Sequence, residues 1–121
     1  MAKVAVVDDA PEVVELIGSI LRGERYQVVG YTSGEGLEDK LAAEKPDLLI
    51  LDIVMPGRDG FGILRSLRRR DSTRELPVLV VSSKNQPSDV EWGLLQGASE
   101  YLTKPFTPER LVESVRRLVR A

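Results

Sequence analysis

Side chains that can bind metal ions or take part in chemistry stand at the ends of apolar runs in this sequence. Asp8 and Asp9 end the first run. Asp52 ends the third run, Ser82 ends the fourth, and Lys104 follows the fifth. Carboxylates bind hard cations and can act as nucleophiles, whereas a hydroxyl or an ammonium group can stabilise an anion. If folding brings these residues together, they supply the groups needed to hold a phosphoryl group on Asp52.

The elements that must position these residues are indicated by the apolar pattern. Five β-branched runs alternate with stretches of helical periodicity. Strands are therefore predicted at 4–7, 27–31, 47–52, 77–81 and 101–102. Pro11 and Thr107 are typical of helix starts, Ser88 is expected to cap the fourth helix, and Gly97 is expected to end it. Residues 55–60 are rich in turn formers and are predicted to form a turn.

Strands that are apolar on both faces and alternate with helices predict a parallel sheet covered by helices on both sides. The expected fold is α/β, a flavodoxin-like doubly wound (βα)5 unit with a five-stranded parallel sheet in the order 2-1-3-4-5. At 121 residues, with no break in composition, the chain is expected to form one domain over residues 1–121.

That strand order predicts a cluster of carboxylates. The first and third strands are neighbours about 4.8 Å apart, so Asp9 and Asp52 are expected to lie almost in contact. Like charges at about 4 Å repel by roughly 4 kcal/mol per pair at an effective dielectric of about 20. Either a carboxyl pKa is raised or a divalent cation occupies the cluster. A small set of oxygen ligands suits Mg²⁺, which we expect beside Asp8, Asp9 and Asp52.

The composition excludes several other kinds of site. The chain has no cysteine and no histidine, which rules out thiolate and imidazole metal sites and nucleophile pairs that use histidine. The net charge of −2 argues against direct nucleic-acid binding. The apolar runs are too short to cross a membrane, and no signal peptide is apparent. We therefore expect a cytoplasmic protein with no membrane partner.

The motifs at and near the strand ends form an ordered set that extends over the whole chain. In chain order they are Asp8-Asp9, Asp52, Met55-Pro56, Asp59-Gly60, Ser82, Tyr101 and Lys104-Pro105-Phe106. This set resembles the response-regulator receiver (CheY-like) family. The resemblance implies a domain of a two-component phosphorelay in which Asp52 is the phosphoacceptor. A histidine kinase or histidine phosphotransfer protein would supply the phosphoryl group. Such a domain is not an enzyme beyond its own phosphorylation and dephosphorylation.

The resemblance also implies roles for individual residues. The metal ligands would be Asp8, Asp9, Asp52 and the backbone carbonyl of Val54. Lys104 would contact the phosphoryl oxygens and precede a cis peptide bond to Pro105. Ser82 would move towards the phosphoryl group while Tyr101 turned inward. This would change an output surface on the fourth helix, fifth strand and fifth helix, where Trp92 also lies and a downstream output protein would bind. The chain would be a monomer or a weak dimer through that surface.

The sequence departs from part of the family pattern. Val54 and Lys84 stand two residues after Asp52 and Ser82, where chemotaxis members frequently carry polar or acidic residues. Because those positions flank the water that hydrolyses the acyl phosphate, the resemblance leaves the lifetime of the phosphoryl group open. Residues 83–86, 92–93 and 96–98 are similar to regulators of twitching motility and phototaxis.

Two alternative functions use the same residues differently. A pseudo-receiver would share the fold but act as a constitutive protein-interaction module, and the complete set of Asp8, Asp9, Asp52 and Lys104 argues against it. A phosphatase of the haloacid dehalogenase type also uses an aspartate nucleophile and Mg²⁺. That class needs a second acid two residues after the nucleophile, where this chain has Val54.

Overall fold

The computed structural model describes residues 1–119, so the predicted domain boundary at Ala121 lies outside the described residues. The strands are β1 (Lys3–Val7), β2 (Gln27–Tyr31), β3 (Leu48–Leu51), β4 (Val54–Met55), β5 (Arg58–Asp59), β6 (Val78–Ser82) and β7 (Glu100–Thr103). The helices are α1 (Pro11–Gly23), α2 (Leu37–Glu44), α3 (Gly60–Arg69), α4 (Pro87–Gln96) and α5 (Pro108–Val119). None of the helices within residues 1–119 is long and apolar enough to cross a membrane.

The main sheet has five parallel strands in the order β2-β1-β3-β6-β7. Since β6 and β7 are the fourth and fifth strands of this sheet, the predicted order 2-1-3-4-5 is confirmed. The α/β flavodoxin-like fold class is confirmed with it. The three inner strands β1, β3 and β6 are buried because helices cover both faces of the sheet, and they therefore consist mainly of apolar residues.

The core is divided into two apolar clusters, one on each face of the sheet. Alternate residues of a strand point to opposite faces, so Val4 and Val6 enter one cluster while Ala5 and Val7 enter the other. Helices α1 and α5 complete the first cluster with Ile17, Leu21, Leu111 and Val115. Helices α2 and α3 complete the second with Leu37, Leu41, Ile63, Leu64 and Leu67. Helix α4 buries only Gly93 and leaves Trp92, Leu94 and Leu95 exposed.

The turn predicted within residues 55–60 is confirmed at Pro56 and Gly57, and the flanking Val54–Met55 and Arg58–Asp59 pair as a short antiparallel hairpin before α3 begins. One local prediction was wrong. Ser88 does not cap α4. Pro87 already occupies the first helical turn, and Gln86 forms a capping box with Asp89. The predicted starts at Pro11 and Thr107 and the predicted helix end at Gly97 are confirmed.

Candidate functional site

The backbone brings the ends of β1 and β3 together. Val7 pairs with Leu51 in the parallel ladder, and the amide of Asp52 donates to the carbonyl of Val7 at 2.9 Å. On the other side of β1, the amide of Asp8 donates to the carbonyl of Tyr31 at 3.1 Å. Both aspartates therefore leave the sheet at the same edge, which is where doubly wound sheets bind ligands.

Three carboxylates meet at this edge. One oxygen each from Asp8, Asp9 and Asp52 lie within 4.8 Å of one another. Asp8 and Asp52 are only 3% and 5% exposed, whereas Asp9 is exposed. One oxygen of each buried carboxylate accepts a backbone hydrogen bond: Asp8 Oδ1 from Ala10 at 2.9 Å, and Asp52 Oδ1 from Val54 at 3.0 Å. These bonds fix the two carboxylates and direct their second oxygens to the centre of the site.

Lys104 supplies the positive charge of the site. Its ammonium group donates to Asp8 Oδ2 at 2.8 Å and lies 3.4 Å from Asp52 Oδ2. The residue follows β7, and its amide donates to the carbonyl of Ser82 at the end of β6. The peptide bond between Lys104 and Pro105 is cis. One cation is therefore shared between the two buried carboxylates.

The pKa values reflect this sharing. Burial raises the pKa of Asp52, with the charge of Asp8 acting in the same direction, while the Val54 amide and Lys104 oppose the rise. Burial lowers the pKa of Lys104, but the hydrogen bond to Asp8 and the charges of both carboxylates outweigh it, so the pKa is raised. Lys104 is consequently charged at neutral pH, and Asp52 is less readily ionised than an ordinary aspartate.

Ser82 and Tyr101 hold the same loop residue from two sides. The Ser82 hydroxyl is fully buried and accepts a hydrogen bond from the Lys84 amide at 3.2 Å. The Tyr101 hydroxyl donates to the Lys84 carbonyl at 2.7 Å. The Tyr101 ring lies against Gly93 of α4, where an added Cβ would approach the ring to 2.9 Å. The β6–α4 loop is thus linked both to the carboxylate edge and to the surface of α4.

The structure does not bring every predicted residue into the carboxylate cluster. Val54 is adjacent to it, since its amide binds Asp52, while its side chain is 44% exposed. Trp92 lies outside the cluster on α4 and is 48% exposed. Leu94 and Leu95 of the same helix are exposed as well, so Trp92 is part of an apolar surface.

The donor set fits a hard divalent cation. Each of Asp8, Asp9 and Asp52 can offer one carboxylate oxygen at the same point. Mg²⁺ is bound in proteins through one or two carboxylates, with water and phosphate oxygens completing the octahedron. Asp9 is exposed and Asp8 is buried, so a cation at this point could keep several water ligands on the open side.

Comparison with known proteins identifies the family. Residues 4–116 match the model of the response regulator receiver domain. The chain belongs to the response-regulator receiver family. This receiver is 37% identical over 115 residues to protein PilH of Pseudomonas aeruginosa, and the alignment covers 95% of each chain. The resemblance noted in the sequence is thereby confirmed.

Solved structures show the same fold for the receiver. The BeF3-activated receiver domain of RstA from Klebsiella pneumoniae is 34% identical, with a TM-score of 0.91 and coverage of 98% and 99% of the two chains. The chemotaxis protein CheY4 of Vibrio cholerae is 29% identical, with a TM-score of 0.90 and 98% coverage of each chain. Receiver domains are signal transducers of two-component systems, and they interact with histidine kinases or phosphotransfer proteins.

One contact near the site had no signal in the sequence. Arg58 forms a two-pronged ion pair with Glu38, with N–O distances of 2.8 and 2.7 Å, and also donates to the carbonyl of Gly34 at 2.9 Å. Arg58 belongs to the hairpin that begins at Val54. No local spacing predicts a contact between a turn-like segment and a helix that precedes it by a whole strand.

Proposed function

We propose that Asp52 accepts a phosphoryl group from a histidine kinase or a histidine phosphotransfer protein, with Mg²⁺ bound at the carboxylate cluster. The observation that carries this proposal is the convergence of Asp8, Asp9 and Asp52 at one point, where the ammonium group of Lys104 also contacts Asp8 and Asp52. Attack by a carboxylate oxygen of Asp52 forms an O–P bond as the N–P bond of phosphohistidine breaks. The proton needed by the leaving imidazole comes from solvent or the donor protein.

The metal ligands in this proposal are Asp8, Asp9, Asp52 and the backbone carbonyl of Val54. A bound Mg²⁺ would supply positive charge for the transferring phosphoryl group. Lys104 would provide a second positive charge on the other side, since its ammonium group is already 3.4 Å from Asp52 Oδ2. Positioning and charge stabilisation are the main contributions that proteins make to phosphoryl transfer.

The proposed switch uses the two hydroxyls that hold Lys84. A phosphoryl group on Asp52 adds strong acceptor oxygens near the buried hydroxyl of Ser82. If the Ser82 side chain rotates towards that group to donate to it, its oxygen moves away from the Lys84 amide, that bond is released and the loop can move. The Tyr101 hydroxyl then loses its position on the Lys84 carbonyl, which allows the ring to turn inward beneath Gly93. The surface of α4, β7 and α5 changes as a result.

That surface is the proposed binding site for a downstream output protein. Trp92, Leu94 and Leu95 give α4 an exposed apolar face, and Tyr101 lies next to it on β7. Exposed aromatic side chains are frequent anchors in protein–protein interfaces. We propose that the receiver is a monomer, or a weak dimer through this surface, and that it works in the cytoplasm without contacting nucleic acid or membrane. From the resemblance carried by residues 83–86, 92–93 and 96–98, we propose that it belongs with the twitching-motility and phototaxis regulators.

Intact-mass measurement after incubation with acetyl phosphate and MgCl2 tests the phosphoacceptor. The wild type should gain one phosphoryl group, and Asp52→Asn should gain none. Asp71→Asn is a matched control, because that carboxylate is 90% exposed and pairs only with Arg74 among the described residues. If the wild type gains no mass, the receiver is a constitutive interaction module. Continuous hydrolysis of a general phosphate ester would instead support the dehalogenase-type phosphatase, which the apolar Val54 disfavours.

A further inference from the structure

The β4–β5 hairpin is too short to hold its own position. Each strand contributes two residues, and isolated two-stranded hairpins are marginal even when longer. Pro56 followed by Gly57 at φ +90° matches a type II turn, whose twist suits a hairpin less well than the primed turns. The position of the hairpin must therefore be set by contacts outside it.

The two strands of the hairpin are held by contacts with different parts of the molecule. On β4, the amide of Val54 donates to Asp52 Oδ1, and Met55 packs against the apolar core. At the end of β5, Asp59 caps α3 by accepting from the Phe61 amide at 3.1 Å. Directly after β5, the Gly60 amide donates to the Ile53 carbonyl at 3.3 Å. Among the described residues, the polar contact that links β5 to α2 and the loop before it is made by the Arg58 side chain.

The Arg58 anchor has the geometry of a strong ion pair. Its guanidinium group donates to both oxygens of Glu38, and the Glu38 side chain is only 13% exposed. A third hydrogen bond goes from the guanidinium group to the carbonyl of Gly34. Gly34 also packs closely against Arg58, since an added Cβ on Gly34 would lie 3.5 Å from Arg58 Cδ and 2.9 Å from Ile63 Cδ1. Two-pronged bonds between arginine and a carboxylate fix orientation as well as distance.

The pair stays formed over the whole pH range in which the site works. The hydrogen bond from Arg58 lowers the pKa of Glu38 to about 2, against the opposing effect of burial. The same hydrogen bond raises the pKa of Arg58. Both groups are therefore charged at every pH at which Asp52 can be a carboxylate.

We propose that Arg58 is a positioning residue that fixes the hairpin through Glu38 and Gly34, and thereby fixes Val54 beside Asp52. Met55 pairs directly with Arg58 in the hairpin and follows Val54 in the chain, so the anchor is one residue from the proposed metal-binding carbonyl. The inference rests on the proposed function, because Val54 matters here through its carbonyl and through its amide bond to Asp52. Loss of the anchor leaves Asp8 and Asp9 in place but loosens the Val54 side of the site, including the amide bond that holds Asp52.

Magnesium binding by isothermal titration calorimetry tests the positioning role without any catalytic readout. Glu38→Gln and Arg58→Gln should weaken Mg²⁺ binding about tenfold, at the low end of the effect of residues that orient metal ligands. Arg58→Lys should recover little, because an ammonium group keeps the charge but not the two-pronged geometry. The matched control is Arg117→Gln, which breaks the two-pronged pair with Glu100 between α5 and β7.

Hydrogen exchange of the Val54 amide, followed by NMR in metal-free protein, provides the second measurement. Its exchange should become several-fold faster in Glu38→Gln and Arg58→Gln and stay unchanged in Arg117→Gln. The proposal is overturned if Mg²⁺ affinity and Val54 exchange in these variants match the Arg117→Gln control. If the wild type binds no Mg²⁺, the proposed function fails, and Val54 exchange still decides whether Arg58 fixes the hairpin. If Arg58→Gln does not fold, the nearly isosteric Glu38→Gln variant decides.

Discussion

Replacing Asp52, the proposed phosphoacceptor, should make the metal-free protein more stable. Asp52 is a buried carboxylate beside two others, and burial raises its pKa. A raised pKa means that the folded protein pays for ionisation of this group at neutral pH, whereas the unfolded chain does not. Asp52→Asn removes the charge and keeps an oxygen that can accept from the Val54 amide. We therefore expect its free energy of unfolding to exceed that of the wild type.

The distances give the size of this effect. At the 4.8 Å upper limit of their separation and an effective dielectric of about 20, each neighbouring carboxylate repels Asp52 by about 3.5 kcal/mol. Lys104, at 3.4 Å, attracts it by about 5 kcal/mol on the same scale. The net repulsion of about 2 kcal/mol is reduced by solvent screening at the exposed Asp9, and desolvation of the buried carboxylate adds to it. Together these terms predict stabilisation by about 1–2 kcal/mol.

Urea unfolding followed by circular dichroism in EDTA at pH 7 measures this difference. The gain should shrink as the pH falls through the raised pKa and should vanish below about pH 4, the ordinary aspartate value, because Asp52 is then protonated in both states. Mg²⁺ at ten times its dissociation constant should stabilise the wild type by about 1.4 kcal/mol and the variant by less. Asp71→Asn should change stability by less than about 0.5 kcal/mol. A metal-free Asp52→Asn variant that is no more stable than the wild type at pH 7 would refute the reasoning.

Three further substitutions test individual contacts. Lys104→Met should lower the free energy of unfolding of the metal-free protein by about 2–3 kcal/mol, because it leaves the buried Asp8 carboxylate without its cation. An unchanged midpoint of urea unfolding would contradict this prediction. Arg68→Met should lower the free energy of unfolding by about 2–3 kcal/mol, because the Arg68 guanidinium group donates to the carbonyls of residues 73, 74, 76 and 97. A thermal unfolding midpoint equal to that of the wild type would count against this prediction. Gly93→Ala should shift the NMR resonances of the Tyr101 ring, because the new Cβ would approach that ring to 2.9 Å. The variant should also be less stable than the wild type, although alanine is ordinarily favoured over glycine in helices by about 1 kcal/mol. A more stable variant with unshifted resonances would exclude this contact.

The main sheet could be predicted because its strands carry a strong signal. In β1 and β3, every position from Val4 to Val7 and from Leu48 to Leu51 is apolar and buried, as expected of short β-branched or apolar strands covered on both faces. The hairpin could not be predicted in the same way. Its four paired residues carry no alternation, and Pro56-Gly57 indicates a turn without showing that the flanking residues pair.

The candidate site was predictable to the extent that the strand ends determine it. Asp8, Asp52, Ser82 and Lys104 end or follow neighbouring strands, so the strand order alone places them at one edge. Side-chain contacts between helices and loops follow no such rule. The sequence did not show that Ser82 and Tyr101 would bond to the same residue, Lys84, or that Lys104 would lie closer to Asp8 than to Asp52.

The site departs from the rules that govern the rest of the fold, and its neighbours compensate for the departure. Two carboxylates end strands that otherwise bury only apolar residues, although buried charges are among the least favourable groups in a protein interior. Backbone amides bind one oxygen of each carboxylate, and Lys104 binds or approaches the other. The compensation is incomplete at Asp52, whose pKa remains raised. A carboxylate that is held in place but not fully neutralised gains from any further cation, and this incomplete neutralisation is the physical reason to expect cation binding at this edge of the sheet.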